Sequence, residues 1–549
     1  MMSVKPDSST ARVLLGSAAA GGFAAGPIHH EGARPQGARA PAGGRSDPGR
    51  ERVRLDAAIA EATRALFELL DRLGKDAEAA GIVEFQVAML EDTALTGAAY
   101  RAIEDGQDAV SAWHAAMGRA LGDYETAEDP YFRARAADLA DMRDRVCRGL
   151  EGGGAGQIPR GAIFVGEDLP PSRFLETDWQ GGGVALFAGS ANSHVAMLAR
   201  ARGVPMLIGL EPAAGAGLRG FAILDGEGGA LTLSPTREQV ALFEAKRREK
   251  SAADERALRF LDKPAVTKTG EAVAVMINVA GPEDLETVDS RHCDGIGLVR
   301  TEFLFHSTDG RPDEEVQYAF YRDIVRWAGG KPVTLRTLDA GGDKPIPGLT
   351  VHGETNPFLG VRGLRLSLRR PDVFKVQLRA MLRAAAHGPV KIMLPMVTAP
   401  DELAAARALL NEARRDLAGE GAEVGKPALG MMVEVPSAAI AIDEFDADFY
   451  SIGTNDLVQY VTACGRDVGG LGSLARPDST AVLRLIEGVA RHGRETGREV
   501  SLCGDAGGDP AVLPRLLEAG LRVLSVAPSA LARTKAAIAL YDGAKHGGP

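Results

Sequence analysis

The sequence lacks the features that mark secreted, membrane-spanning and zinc-stabilised proteins. Its four cysteines, Cys147, Cys293, Cys464 and Cys503, are scattered without a CxxC spacing, so neither a disulfide framework nor a zinc site is expected. No apolar run reaches the length of a membrane span, and the Gly-rich segment 13–25 has too little positive charge before it for a signal peptide. We therefore expect a cytoplasmic protein that does not insert into a membrane.

An excess of basic residues is also missing. The chain has 63 Lys and Arg against 74 Asp and Glu, which gives a formal net charge of −11. This balance argues against nucleic acid as a partner and favours a basic protein partner or simple solubility. What the chain does have is length, because 549 residues are enough for two to four domains, each with its own hydrophobic core.

The stretch GSANSHVAMLAR, residues 189–200, is predicted to place a histidine at the start of a helix. A short apolar run, 184–188, predicts a buried strand before it, and Val195, Leu198 and Ala199 recur at helical spacing after it. The unpaired N–H groups and the positive end of the helix dipole favour an anion here and disfavour a charged imidazole. His194 is therefore a candidate phosphoryl acceptor. A helix-capping polar cluster with an incidental histidine is the alternative.

Short strands and long helices alternate in blocks along the chain. Residues 1–49 and 146–236 hold short apolar segments separated by turns, and together they predict one β/α domain. Within it, residues 12–15 predict a strand followed by a glycine-rich turn, and the Gly/Pro/Arg-rich stretch 32–49 predicts a linker. Residues 50–145 show amphipathic helical periodicity, so a helical subdomain is expected to interrupt the β/α domain.

The rest of the chain predicts a linker helix and a barrel. The charged segment 237–263 is expected to form the linker, and strand and helix candidates alternate over residues 264–549. Eight strands over this length match a (β/α)8 TIM barrel, so the expected fold class is α/β multidomain. The strand candidates are 273–279, 295–299, 333–338, 390–395, 430–433, 449–453, 500–502 and 522–526.

Polar residues follow the ends of the predicted barrel strands, where barrels of this kind place their chemistry. Guanidinium groups bind phosphate and carboxylate, and two carboxylates suit Mg²⁺ when the substrate supplies further oxygens. The set therefore suits a small phosphorylated acid, with structural ion pairs around the barrel rim as the alternative. The residues are Arg300, Arg336, Glu434, Asn455, Asp456, Arg466 and Cys503.

These segments, taken together and in order, resemble one known family. The motifs are GSANSHVAMLARARGVP, GIGLVRTEFLF, LRTLDAGGDKP, NPFLGVRGLR, IMLPMV, VEVPSAA, SIGTNDLVQY and SLCGDAGG. They closely resemble Enzyme I, the phosphoenolpyruvate-protein phosphotransferase that starts the bacterial sugar phosphotransferase system. The resemblance runs over nearly the whole chain and includes IVEFQVAMLED and FRARAADLADMRDRV, which are similar to the family's partner-binding helices.

The resemblance implies a role for each candidate residue. His194 is expected to accept the phosphoryl group of phosphoenolpyruvate on Nε2 and pass it to a histidine of the phosphocarrier protein HPr, with release of pyruvate. Cys503 is expected to protonate the methylene carbon as pyruvate forms. The expected phosphoenolpyruvate ligands are Arg300, Arg336, Asn455, Asp456 and Arg466, with help from Arg362. The expected Mg²⁺ ligands are Glu434 and Asp456.

The resemblance also implies a division of labour among the domains. Residues 1–49 with 146–236 are expected to form a phosphohistidine domain that swivels between the barrel and the partner. Residues 50–145 are expected to bind HPr. The barrel, 264–549, is expected to bind phosphoenolpyruvate and to join two chains in a homodimer.

Two departures from the family's motifs lie beside the expected catalytic residues. The usual Gly-Gly-x-Thr-Ser-His becomes Gly189-Ser190-Ala191-Asn192-Ser193-His194, in which Ser190 stiffens a turn that glycine would relax. After Cys503 the usual Gly-Glu becomes Gly504-Asp505, whose side chain is one methylene shorter. Neither departure removes a chemical group that the reaction requires.

Two other functions stay open at this point. Pyruvate phosphate dikinase and phosphoenolpyruvate synthase share the swivelling domain and the barrel, but they add a large nucleotide-binding domain, and no glycine-rich ATP-grasp segment occurs in this sequence. A non-catalytic regulatory relative would bind partners according to its phosphorylation state. Retention of His194, Cys503, both carboxylates and all three arginines argues against it.

Overall fold

The chain forms two compact units, Met1–Arg248 and Glu249–Pro549. The computed structural model describes residues 11–31, 46–73, 77–125, 130–152, 157–189, 193–210, 218–306, 311–342, 344–346, 348–351, 353–465 and 474–543. Across these ranges, no helix combines the length and the apolar character needed to cross a bilayer.

The first unit is built on one eight-stranded sheet, in the order β1-β8-β7-β3-β4-β5-β6-β2. The four strands from β3 to β6 run parallel to one another, and the remaining neighbours pair in antiparallel fashion. The strands are β1 (Arg12–Leu15), β2 (Ser17–Ala20), β3 (Phe23–Glu31), β4 (Ile163–Gly166), β5 (Gly183–Leu186), β6 (Met206–Ile208), β7 (Phe221–Asp225) and β8 (Ala230–Leu233).

The glycine-rich turn predicted after β1 is wrong for most of its length, because β2 and β3 follow at once. Alanine and glycine are poor strand formers, but here the pairing partners decide. Residues 23–27 of β3 pair with β7, and residues 28–31 pair with β4. Gly26 is required at its place, since a Cβ there would overlap the carbonyl oxygen of Gly161.

Five long helices lie between β3 and β4 along the chain: α1 (Pro48–Leu73), α2 (Ala77–Glu91), α3 (Thr93–Glu104), α4 (Ala109–Glu125) and α5 (Pro130–Leu150). The sequence did not predict α3, whose first turn is capped by the Asp92 carboxylate accepting from the Ala94 N–H. Buried side chains of the helices, such as Leu66 and Trp113, belong to the same hydrophobic cluster as Phe164 and Val195 of the β/α part. The helical insert therefore packs directly on the sheet's own helices.

Three further helices complete the first unit and lead out of it: α6 (Pro171–Glu176), α7 (His194–Ala201) and α8 (Arg237–Leu258). The helix predicted to begin near His194 is confirmed as α7. Ser193 precedes it as the N-cap, and its hydroxyl oxygen accepts from the Ala196 N–H at 3.3 Å. Within the segment predicted as the linker, 237–263, the structure has the helix α8, which contains the boundary between the two units.

The second unit is the expected barrel, in which eight parallel strands close on themselves. Each predicted strand agrees with an observed one to within two residues at either end. The strands are β9 (Ala274–Val279), β10 (Ile296–Val299), β11 (Val333–Arg336), β12 (Val390–Leu394), β13 (Ala428–Val433), β14 (Phe449–Ile452), β15 (Glu499–Leu502) and β16 (Val523–Val526).

Helices and short connections surround the barrel and bury one continuous apolar core. Loops at the carboxyl ends of the strands carry most of the candidate residues. The helices are α9 (Pro282–Glu286), α10 (Glu302–His306), α11 (Glu314–Trp327), α12 (Leu364–Arg369), α13 (Pro371–Ala384), α14 (Pro400–Gly419), α15 (Pro436–Ile440), α16 (Thr454–Thr462), α17 (Thr480–Thr496), α18 (Leu513–Glu518) and α19 (Leu531–Leu540).

Candidate active site

Arg336, the last residue of β11, is buried at the carboxyl end of the barrel and paired with two carboxylates. Its guanidinium lies 2.7 Å from a Glu302 oxygen and 3.4 Å from an Asp339 oxygen. The same Glu302 oxygen also accepts from the main-chain N–H of Asp339 at 3.1 Å. One carboxylate therefore fixes both the arginine and the loop that follows β11.

Arg362 lies between two aspartates and is fully buried. Its guanidinium is 3.2 Å from Asp339 and 2.9 Å from Asp456, the latter in the first turn of α16. Burial alone would lower the pKa of Arg362, but the two carboxylates raise it above its ordinary value. Tyr460 is the further partner of this arginine, at 3.5 Å.

Asp339 is the acceptor shared by three cations. Besides both arginines it receives the ammonium group of Lys344 at 2.8 Å. Burial would raise the pKa of Asp339, but Lys344, Arg336 and Arg362 hold it well below its usual range. The carboxylate stays ionised, and the cluster is a preformed, water-poor field of opposite charges.

Glu434 follows β13 and is almost completely buried beside the other carboxylates. Burial, with the nearby charges of Asp456 and Asp339, raises its pKa to about 8. One of its oxygens accepts from the Met396 N–H at 2.6 Å, and a Cβ on Gly453 would come within 3.0 Å of the other. Two neighbouring carboxylates that repel one another fit a divalent cation.

A ready-made metal cage is absent, since the described residues contain no group of three or more His, Cys, Asp or Glu side chains placed to hold an ion. The carboxylates of Glu434 and Asp456 would therefore need oxygens from a bound substrate to complete a coordination shell. That is the usual mode of Mg²⁺, which takes one or two carboxylates plus substrate phosphate oxygens.

Cys503 follows β15 and is buried inside the barrel mouth. Its thiol is 3.7 Å from the Ile452 carbonyl oxygen, and its apolar neighbours include Met432 and Leu298. Burial first, then the negative charge of Glu434, raises the pKa of Cys503 to about 11, against the partly opposing effect of Ser451. The sulfur is thus held as a thiol, which is the form that can donate a proton.

Asn455 lies at the start of α16 and forms a two-way amide pair with Asp505. Its side-chain nitrogen donates to the Asp505 carboxylate at 2.9 Å, and its oxygen accepts from the Asp505 N–H at 3.1 Å. The shorter side chain at 505 still reaches Asn455. This pair orients the amide that the sequence singled out.

Other expected residues are placed less fully. Arg300 follows β10, and its main-chain N–H bonds the Val279 carbonyl oxygen at 2.8 Å, but its guanidinium makes no ion pair with any residue that the structure describes. Arg466, Ser190 and Asn192 lie outside the described residues.

His194 is the first residue of α7 in the first unit, and its imidazole meets a carboxylate from α5. The Nδ1 atom lies 3.3 Å from Asp138, whose other oxygen is 3.0 Å from Arg135. Within the described part of the chain, Nε2 makes no hydrogen bond, and the side chain is 23% exposed. Nδ1 is therefore held by Asp138, whereas Nε2 is available to a substrate.

The structure adds four site residues that sequence reasoning did not single out: Glu302, Asp339, Lys344 and Asp138. The first three stand within two to eight residues of Arg300 or Arg336, inside motifs that had already been recognised. Their position after a barrel strand was the available signal. Asp138 also lies in a quoted segment, FRARAADLADMRDRV, but nothing in that segment points to His194, which is 56 positions away on another helix.

Comparison with known proteins first identifies the class of enzyme, from three matches to family models. Residues 254–542 match the PEP-binding domain of PEP-utilising enzymes, residues 158–229 match their mobile domain, and residues 15–135 match their N-terminal domain. The fold and the site thus define a phosphoenolpyruvate-utilising enzyme with a mobile domain.

The more specific relatives are phosphoenolpyruvate-protein phosphotransferases. The chain is 35% identical to that of Geobacillus stearothermophilus over 501 residues, which covers 88% of this chain and 86% of the relative. It is 34% identical to that of Bacillus subtilis, covering 89% and 88%. A solution structure of Enzyme I (nEIt) matches 43% of the chain and 99% of its own, at 22% identity and a TM-score of 0.38. The chain belongs to the phosphoenolpyruvate-protein phosphotransferase family, Enzyme I, and is a phosphoenolpyruvate-dependent phosphotransferase.

Proposed function

We propose that the chain moves the phosphoryl group of phosphoenolpyruvate to Nε2 of its own His194 and then to a histidine of HPr, releasing pyruvate. The observation that carries the proposal is the pairing of two parts in one chain. A histidine with one open ring nitrogen starts a helix of the mobile domain, and a barrel of the PEP-binding family ends in a cluster of buried arginines and carboxylates.

The barrel residues bind and neutralise the substrate. Arg300, Arg336 and Arg466 take its phosphate and carboxylate, and the Asn455 amide and Asp456 complete the contacts, with Arg362 beside them. Phosphoryl transfer depends chiefly on positioning and on charges aimed at the phosphate oxygens. The preformed contacts of Arg336 with Glu302 and Asp339 support this role because they hold the guanidinium before substrate arrives.

Mg²⁺ is the proposed cofactor, with Glu434 and Asp456 as its protein ligands. When bound, the ion supplies positive charge at the substrate oxygens. Glu434 supports this assignment, because burial first, and then the nearby charges of Asp456 and Asp339, raise its pKa, and a bound cation would offset both effects. Arg362, already against Asp456, orients that carboxylate.

Bond changes at the substrate balance without a further reagent. The Nε2 lone pair of His194 forms the N–P bond as the bridging P–O bond breaks, and the electron pair leaves with the enolate of pyruvate. The thiol of Cys503 then delivers a proton to the methylene carbon. A raised pKa supports this role, since the thiol is fully protonated at neutral pH.

In the proposed reaction, each domain has its own step. Residues 1–49 with 146–236 carry His194 between its donor and its acceptor, 237–263 link them to the barrel, and residues 50–145 dock HPr. The barrel, 264–549, binds phosphoenolpyruvate and joins two chains as a homodimer. A cytoplasmic setting suits the cysteines, which are free thiols.

The test is incubation of the purified chain with ³²P-labelled phosphoenolpyruvate and Mg²⁺. We expect acid-labile, base-stable label on the protein, pyruvate in solution, and transfer of the label to added HPr. His194→Ala and a metal-free sample should stay unlabelled. An unlabelled wild type that still binds phosphoenolpyruvate would instead identify a regulatory relative that has lost transfer.

A further inference from the structure

We propose that Asp138 is a positioning residue for His194, and that its carboxylate fixes the imidazole proton on Nδ1 so that Nε2 is the nitrogen that takes the phosphoryl group. The proposal rests on the proposed function, since it concerns the same histidine. It is carried by the contact of 3.3 Å between Nδ1 and the Asp138 carboxylate.

The tautomer follows from the chemistry of the two groups. An ionised carboxylate can only accept hydrogen bonds, so the nitrogen that faces it must carry the hydrogen. In a neutral imidazole the other nitrogen then has a free lone pair. That nitrogen is Nε2, which has no hydrogen-bond partner among the described residues and belongs to a partly exposed side chain.

The side chain and the main chain of Asp138 are both held by neighbouring residues, on α5 and α2 respectively. Its side chain is fully buried, and Arg135, one turn earlier on α5, pairs with the oxygen that His194 does not use. On α2, the Gln86 side chain donates to the Asp138 carbonyl oxygen at 3.3 Å and to the Asp141 carboxylate at 3.0 Å. The Asp138 carboxylate therefore cannot turn away from His194 without breaking its pair with Arg135, and Gln86 fixes the main chain that carries it.

The histidine side of the pair is braced as well. Asp141 accepts from the Ser172 N–H at 3.0 Å, which ties α5 to α6, and α6 packs against α7, where His194 begins. Arg145 donates to the Ser172 hydroxyl at 2.8 Å. Such bracing is typical of a site in which a carboxylate orients an imidazole through its far nitrogen.

With the hydrogen on Nδ1, the imidazole does not have to lose a proton before Nε2 attacks phosphorus. Nε2 attacks phosphorus with its lone pair while Nδ1 keeps its hydrogen, so the ring gains positive charge as the N–P bond forms. The Asp138 carboxylate lies where it can stabilise that charge. No proton has to leave the imidazole before the bridging P–O bond breaks.

The test is Asp138→Asn in the full chain, followed by ¹⁵N NMR of the histidines. In the wild type we expect His194, identified by the signal that His194→Ala lacks, to carry its hydrogen on Nδ1. In Asp138→Asn the amide oxygen should turn to Arg135 and its NH₂ to the ring, which forces the hydrogen onto Nε2. We expect labelling by phosphoenolpyruvate to slow about 10- to 100-fold, with KM for phosphoenolpyruvate unchanged.

Asp178→Asn is the control, because Asp178 lies in the same unit but outside the proposed HPr-docking part, and it pairs with Arg160 at the surface. It should keep both the tautomer and the rate. An unchanged tautomer in Asp138→Asn, or a labelling rate within twofold of wild type, would overturn the proposal. If that variant does not fold, Asp138→Ala replaces it and should lose the preference for Nδ1–H.

A wild type that takes no label contradicts the proposed function instead. The tautomer comparison is independent of turnover and then decides the role of Asp138 by itself.

Discussion

Buried charges dominate the chemistry at the scale of single residues. Arg336 and Arg362 lie almost wholly out of solvent, and each is matched by carboxylates within 3.4 Å. Removing charges from water is costly, so such a cluster contributes to stability only while every member keeps its partner. On the proposed function, the same pairing orients the guanidiniums for an incoming phosphate, so stability and function would depend on the same contacts.

Loss of Glu302 should therefore destabilise the barrel. Glu302→Ala removes the acceptor of the Asp339 N–H and leaves Arg336 with its longer contact of 3.4 Å to Asp339, so we expect the free energy of unfolding to fall by ~3–5 kcal/mol. This loss is measured from the barrel transition in urea-induced unfolding. Glu315→Ala is the control, since the Glu315 carboxylate that pairs with Arg383 is largely exposed and its loss should cost little stability. Equal losses in the two variants would contradict the prediction.

Cys503 should react as a thiol that is hard to ionise. Its pKa of about 11 means that only a small fraction is thiolate near neutrality, and alkylation requires the thiolate. We expect the rate of iodoacetamide labelling at Cys503, followed by peptide mass spectrometry, to rise about tenfold per pH unit between pH 7 and 9.5. A plateau near pH 8.5 would show an ordinary thiol. Cys503→Ala identifies the labelled peptide.

At the scale of elements, the spacing of apolar residues in the sequence predicted the helices and strands whose burial depends only on that spacing. The barrel strands are short apolar runs between helices, and a buried parallel strand needs nothing else to be recognised. Strands β2 and β3 were missed because their alanines and glycines carry no strand signal and depend on β6, β7 and β4 for pairing. For the same reason the carboxylate opposite His194 could not be predicted, since its position depends on how α5 packs against α6 and α7.

Gly26 offers a test of that dependence on close pairing. A methyl group at this position of β3 would overlap the Gly161 carbonyl oxygen, so Gly26→Ala should lower the free energy of unfolding of the first unit by about 3 kcal/mol. Gly118→Ala on α4 is the matched control, because nothing lies within 4 Å of the added methyl. That change should stabilise by ~0.5–1 kcal/mol through helix propensity. Calorimetry of both variants distinguishes the two effects.

At the scale of the whole molecule, the chain is two units joined through α8. Among the described residues, each unit buries two hydrophobic clusters of its own, and no cluster includes residues of both units. Separate cores permit separate cooperative unfolding transitions. The candidate residues divide in the same way, with the proposed phosphoryl acceptor in one unit and the proposed substrate ligands in the other.

Phosphoenolpyruvate with Mg²⁺ should accordingly stabilise one unit and not the other. A ligand at 100 times its Kd adds about 2.7 kcal/mol to the state that binds it. In differential scanning calorimetry we expect the barrel transition to move up and the transition of residues 1–248 to stay in place. Arg336→Ala should remove the shift. If only the transition of the first unit moved, the phosphoenolpyruvate site would lie in the first unit, and the prediction would be wrong.

The helical insert sets the order in which the first unit can fold. Strands β3 and β4 are neighbours in the sheet, yet α1 to α5 separate them along the chain. Joining two strands across so long a connection has a large entropic cost, which falls when the connection is already compact. Helices form through contacts close in sequence and therefore early. We therefore expect the insert to form first during synthesis and to bring the two halves of the sheet together.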